Sequence, residues 1–180
     1  QIRAIDGVGN VDASPASYSW VVDATAPDTT ITANPTNPSG SNVSFSFTGT
    51  DAGSGVASFE CDLDGGGFAA CTSPQSYTNL TQGSHTFMVQ AIDNVGNIDP
   101  TPASFIWNVD ATAPDTTIDS NPTDPSNSGN ASFTFSGTDS GGSTIASFEC
   151  DLDGGGFTAC TSPQNYTGFS DGSHTFQVRA

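Results

Sequence analysis

Apolar and polar residues alternate with a period of two along most of the chain. Val43, Phe45 and Phe47 alternate with Ser and Thr, and Phe59, Cys61 and Leu63 with Glu60 and Asp62. Phe87, Val89 and Ala91 alternate with Met88 and Gln90, and Phe105, Trp107 and Val109 with Ile106 and Asn108. Successive side chains of a strand point to opposite faces, so each set sends one row to a core and the other to water. No segment carries a helical period. Bounded by Gly, Pro, Asn and Asp, the pattern predicts strands over 28–34, 42–50, 57–64, 67–72, 75–80, 84–92 and 103–109.

The pattern then repeats. The ten residues Val22 to Ile31 recur verbatim at Val109 to Ile118, and Ala57 to Phe68 recur at Ala146 to Phe157. Ala4-Ile5-Asp6 with Val8-Gly9-Asn10 matches Ala91-Ile92-Asp93 with Val95-Gly96-Asn97. Self-similarity at a fixed period marks a repeat architecture, here with a unit of about 88 residues. Gln1 to Ala4 also corresponds to Gln177 to Ala180, so the chain starts and stops at the same phase of the same strand. It reads as a window on a longer array.

Seven short strands in a unit of this size match a small β-sandwich. The expected fold is therefore all-β: tandem immunoglobulin-like, seven-stranded, Greek-key sandwiches. In that order the predicted strands are A, B, C, C′, E, F and G. Residues 23–110 make one complete repeat. Residues 1–22 carry the end of F and all of G of a preceding repeat, and 111–180 carry the next repeat without its G strand.

Four cysteines allow three pairings. Cys61 and Cys71 are equidistant from Gly66, and Cys150 and Cys160 from Gly155. A hairpin turning at each triple Gly brings the two members face to face, because Gly supplies the positive φ of a tight loop. This selects the disulfides Cys61–Cys71 and Cys150–Cys160, joining C to C′. Closing so short a loop adds roughly 2.5–3 kcal/mol on the chain-entropy model. Zinc is the competing use, but the tight CxxC pairs of zinc sites are missing. Disulfides place the chain in an oxidising, extracytoplasmic setting.

Charge narrows the function classes. Formal net charge is -17, with two basic residues, Arg3 and Arg179. Such a surface cannot neutralise phosphates, so nucleic acid and anionic lipid are excluded as partners. No apolar run approaches the roughly 18 residues needed to cross a bilayer.

Sandwich topology gathers the incoming linker, the B–C loop and the F–G loop at one pole. In the complete repeat these carry Asp23, Asp51 and Asp93 with Asn97. The set recurs as Asp110 and Asp139 in the next repeat, and as Asp6, Asn10 and Asp12 in the preceding one. Carboxylate and amide oxygens converging from separate loops suit a hard cation such as Ca²⁺, which would also stiffen the joint. The same residues equally make ordinary turns. Asp62 and Asp64 resemble the start of an EF-hand loop, but its distal Glu is missing.

His85 and His174 open equivalent F strands and are expected to pack or cap. Trp20 and Trp107 fall on the core face of strand G, with sugar stacking as the alternative. Glycosylation sequons stand at Asn42, Asn79, Asn130 and Asn165. No catalytic triad, carboxylate pair or phosphate loop is visible, so no enzyme is expected.

Three stretches carry a family resemblance: Val-Asp-Ala-Thr-Ala-Pro-Asp-Thr-Thr-Ile, the Cys61–Cys71 hairpin, and the run from Gly83 to Asp99. They resemble the Ig-like or fibronectin-III-like tandem repeats of large prokaryotic surface proteins, adhesins and extracellular filaments. The resemblance implies a structural array giving reach and attachment outside the cell, and Ca²⁺ at inter-repeat linkers through Asp23 and Asp110. The alternatives are an adhesive module for carbohydrate or protein, and a subunit polymerising by strand donation. Expected partners are neighbouring repeats of the same chain or identical chains in a filament, with a glycan or receptor engaged elsewhere in the protein. Antibody domains differ: there the disulfide joins B to F and the Trp lies on C.

Overall fold

The computed structural model describes residues 2–180. The first repeat forms β1 (Asp28–Ala33), β2 (Val43–Thr50), β3 (Val56–Leu63), β4 (Ala69–Cys71), β5 (Gln75–Tyr77), β6 (Gly83–Asp93) and β7 (Ala103–Val109). The second forms β8 (Asp115–Ser120), β9 (Asn130–Thr138), β10 (Phe148–Leu152), β11 (Thr158–Cys160), β12 (Gln164–Thr167) and β13 (Phe176–Arg179).

The chain is all-β and antiparallel. A three-stranded sheet, β1-β2-β5, faces a four-stranded sheet, β4-β3-β6-β7. This order interleaves the two sheets along the sequence, which is the immunoglobulin and fibronectin III plan. Burial follows the period-two pattern: Val43, Phe45 and Phe47 from β2 meet Phe87 and Val89 from β6 and Trp107 and Val109 from β7. The Phe45 ring stacks on Phe87 at 4.1 Å between centroids and meets Trp107 edge-on at 5.1 Å. Such aromatic pairs add to the area they bury. A parallel bridge from Ser39 to Val109 ties the β1–β2 connection to the end of β7.

The second repeat copies this plan as β8-β9-β12 over β11-β10-β13. Its register matches residue for residue. Phe47↔Ile31 becomes Phe135↔Ile118, and Cys61↔Val89 becomes Cys150↔Val178. No strand lies on the outer edge of β13 among the described residues, where β7 covers β6 in the first repeat.

Three expectations need correction. The hairpin does not turn about the triple Gly. The Gly66 N–H donates to the Leu63 carbonyl at 3.1 Å, with Asp64 and Gly65 at φ 57° and 75°. That is an Asp-Gly turn with both central residues left-handed, whose twist matches the flanking strands. One extra residue follows in the returning arm, so Cys61 pairs in register with Ala69 and Phe59 with Cys71. The cysteines are therefore diagonal neighbours, and their Cα atoms lie 5.8 Å apart. The second correction is length: the strand expected at 75–80 stops at Tyr77, and Asn79 bends away at φ 57°. The third is Trp20. Residues 2–22 form only two isolated bridges, Ile2↔Ala16 and Ile5↔Val11, and Trp20 is exposed because no described sheet faces it.

Candidate functional site

The three acidic segments meet at the linker end of the first sandwich, as sandwich topology requires. Asp23 precedes β1, Asp51 follows β2, and Asp93 ends β6. Each offers a carboxylate oxygen, and the three oxygens lie within 4.8 Å of one another. Asp93 is buried, and Asp23 and Asp51 are half-buried.

The backbone supplies partners to most of these oxygens. Asp23 accepts from the Thr25 hydroxyl at 2.6 Å and from the Ser54 N–H at 2.6 Å. Hydrogen bonds from Thr25 and Ser54 hold its pKa down to about 2. Asp51 Oδ2 accepts from the Gly55 N–H at 2.7 Å. Asp93 Oδ1 accepts from the Val95 and Asn97 N–H groups at 2.9 and 2.8 Å. Burial works against the Asp93 carboxylate, yet the Asn97 and Val95 donors hold its pKa below the ordinary value. Gly53 lets the loop approach this closely: a Cβ there would collide with the Asp23 carboxylate.

One carboxylate oxygen is left over. Asp51 Oδ1 is buried and has no hydrogen-bond partner. A buried carboxylate oxygen without a donor costs free energy, and a cation is one way to satisfy it. Three carboxylates from three loops suit a hard cation, with the remaining ligands coming from water or carbonyls. Asn97 departs from its expected part. Its amide nitrogen, not its oxygen, faces the cluster, donating to Asp93 Oδ2 at 2.8 Å and to the Thr25 carbonyl at 3.0 Å. It fastens the loops together and leaves the ligand set to carboxylates.

The equivalent joint between the two repeats is tied by hydrogen bonds. The Asp110 N–H donates to the Ser39 carbonyl at 2.8 Å. Asp110 accepts from Thr112 at 2.7 Å and from the Ser143 N–H at 2.9 Å, and Ser143 and Thr112 lower its pKa below the ordinary carboxylate value. The Ser143 hydroxyl also bonds Asp139, and the Thr112 hydroxyl reaches Asp139 at 3.3 Å. Gln82 spans the joint: its oxygen accepts from the Ala111 N–H at 2.6 Å and its nitrogen donates to the Gly141 carbonyl at 3.0 Å. Thus Asp110 and Asp139 come together, without a third carboxylate beside them among the described residues.

Asp6 and Asn10 repeat the Asp93–Asn97 turn, with the Asn10 side chain donating to Asp6 at 2.7 Å. Hydrogen bonds from the Asn10 backbone and side chain lower the Asp6 pKa. Asp12 caps its own turn through Ser14 at 2.8 Å. These three residues sit on an exposed hairpin, and the structure does not bring them to another carboxylate set. The sequon residues Asn42, Asn79, Asn130 and Asn165 are all exposed.

Two features escaped the sequence reading. His85 Nδ1 lies 2.7 Å from Asp64 Oδ2 and its Nε2 lies 2.8 Å from the Thr81 carbonyl. Asp64 also accepts from the Thr86 N–H at 2.7 Å, so the hairpin turn is fastened to β6. His174 and Asp153 repeat the arrangement at 2.8 Å. The recurrence of Asp and His at one spacing in both repeats was the available signal. The second omission is Asp99, the equivalent of Asp12. It is buried, with Oδ2 unpartnered.

No family model matches the chain. No curated protein matches it. Among solved structures, it is similar to fibronectin(III)-like modules of Clostridium thermocellum CbhA, at 18% identity over 84% of each chain and a TM-score of 0.42. It is also similar to a structure from a study of promiscuous specificity in carbohydrate-binding modules of the β-sandwich superfamily, at 14% identity, 88% of this chain, 85% of that one and a TM-score of 0.43. Neither likeness carries information on a ligand.

Proposed function

We propose that the chain is a stiff spacer segment of an extracellular filament or cell-surface stalk. The observation that carries this reading is the joint between the repeats. Linker residues 110–112 have their backbone N–H groups bonded to Ser39, Gln82 and Asp110, while Asp110 and Gln82 also hold the Ser143 loop. A freely hinged linker would leave these groups to water. Holding successive sandwiches in line is what a spacer needs. The two disulfides support an oxidising setting outside the cytoplasm.

Ca²⁺ at Asp23, Asp51 and Asp93 belongs to the same reading, supported by the unpartnered Asp51 Oδ1. A cation there relieves repulsion among three carboxylates and stiffens the incoming linker. Small-angle scattering of the 180-residue protein tests the spacer. One narrow, elongated distance distribution is expected, and a broad distribution from freely rotating repeats would sink the proposal. For Ca²⁺, the expected result is a rise in melting temperature that EDTA reverses and Asp51→Asn abolishes.

A further inference from the structure

The loop between β5 and β6 carries the residue that crosses the joint. Gln82 accepts from the Ala111 N–H at 2.6 Å and donates to the Gly141 carbonyl at 3.0 Å. The residues before it are anchored to their own sandwich. The Asn79 N–H donates to the Asn42 side-chain oxygen at 3.1 Å, and the Leu80 N–H to the Ser41 carbonyl at 3.0 Å. The last anchor before Gln82 is the Thr81 carbonyl, 2.8 Å from His85 Nε2. A peptide unit is planar, so holding that carbonyl also holds the bond leading into Gln82 and the direction its side chain takes.

His85 faces an acceptor at each ring nitrogen: the Asp64 carboxylate at Nδ1, 2.7 Å away, and the Thr81 carbonyl at Nε2. A neutral imidazole carries one N–H, so only the doubly protonated ring donates to both. The ring has little room to turn out to water. His85 is 7% exposed, with Trp107 opposite it on β7 and the two rings 5.6 Å apart.

The charged and titratable groups around the ring are few. The turn after β3 brings Asp64, β3 carries Asp62, and β5 carries Tyr77, whose pKa is raised by burial and by Asp62 and Asp64. β7 presents Trp107, and Asp110 beyond its end is engaged by Thr112 and Ser143. Loop 78–82 carries no charge, and residues 23–110 contain no Lys or Arg to compete for Asp64. The Thr81 carbonyl, against burial and aided by Asp64, holds the ring's pKa above its ordinary value. His174 repeats both contacts, with Asp153 at 2.8 Å and the Ser170 carbonyl at 3.0 Å.

We propose that His85 is a pH-sensitive latch on the joint: the imidazolium fixes the Thr81–Gln82 peptide and keeps the joint stiff, and loss of one ring proton frees Gln82 and loosens it. The proton that leaves for water is the one on Nε2, because the charge-assisted bond to Asp64 is about twice as strong as one to a neutral carbonyl. Nε2 then turns a lone pair on the Thr81 carbonyl, which moves off and takes the Gln82 peptide with it. The tie is complete below about pH 6.5 and is lost as pH rises through the raised folded value. The latch rests on the spacer reading and adds regulation to it: the array stiffens in mildly acidic surroundings.

NMR of the 180-residue protein tests this, with His174→Gln to leave one titrating ring. The Gln82 side-chain amide and the Ala111 N–H should shift with the midpoint of the His85 ring nitrogens. The protection factor of the Ala111 N–H should fall about two- to tenfold across that step, the worth of one hydrogen bond. Residual dipolar couplings should give one inter-repeat orientation at about pH 5.5 and average out above the midpoint. Adding His85→Gln should abolish the step, and adding Gln82→Ala should leave the couplings averaged at both pH values. Gln82 and Ala111 signals indifferent to the His85 titration overturn the proposal without requiring either added variant to fold. A step that survives His85→Gln or Gln82→Ala overturns it too. One orientation at every pH overturns the latch and leaves the spacer standing, whereas averaged couplings at every pH sink both.

Discussion

His85 shows how a single side chain fastens the fold. The Thr81 carbonyl raises its pKa most, burial opposes, and Asp64 adds to the rise. For His174 the Asp153 carboxylate leads. A histidine whose folded pKa is raised contributes stability that is full below about 6.5 and is lost as pH climbs through the folded value. Urea midpoints should therefore fall as pH rises through that interval, and His85→Gln with His174→Gln should flatten the step. Asp23 has the opposite sign. With a folded pKa of about 2, its contribution is present above about 3.9 and disappears as pH falls toward 2. Asp23→Asn should remove that part of the acid transition in the same titration. Both residues were legible as recurring positions. Their partners were not, because Asp64 lies in the turn after β3 and His85 on β6, and only the β3–β6 register brings them within 2.7 Å.

At the scale of elements, the Asp64-Gly65 hairpin carries the clearest lesson. Spacing gave the disulfide pairing, because only neighbouring arms of one hairpin place these cysteines together. Symmetry about the triple Gly gave the wrong turn. The Asp-Gly dipeptide accepts two left-handed residues, and the extra Gly residues absorb a bulge. Replacing Cys61 and Cys71 together by Ser should destabilise the first repeat by roughly 2.5–3 kcal/mol in urea. The joint gives a second case. Gln82→Ala removes the ties to Ala111 and Gly141. It should broaden the inter-repeat angles seen by scattering or residual dipolar couplings, with both melting transitions little changed. Gly53→Ala should cost about 1–3 kcal/mol, since the loop must move off the Asp23 carboxylate.

For the whole molecule, the core of the first sandwich draws no residue from the second, so the two should yield separately. Stretching the chain from its ends should show two unfolding events, and a single cooperative event would argue against independent units. Trp107→Ala should weaken the first repeat alone, by about 3–5 kcal/mol, because Trp107 packs against Phe45, Phe105 and His85 of its own sandwich. By itself the sequence determined the strands, their inward faces, the repeat and the disulfides. These follow from local periodicity and from the short spacing between cysteines, which leave little freedom. The tertiary structure decided which acidic residues meet. Asp6, Asn10 and Asp12 carry the same chemistry as their counterparts but stay apart from them, while Asp23, Asp51 and Asp93 converge from positions distant along the chain. It also decided that Trp107 is core and Trp20 is not. Burial belongs to a packed pair of sheets, and a strand's own pattern states only which face would be covered if a partner sheet were there.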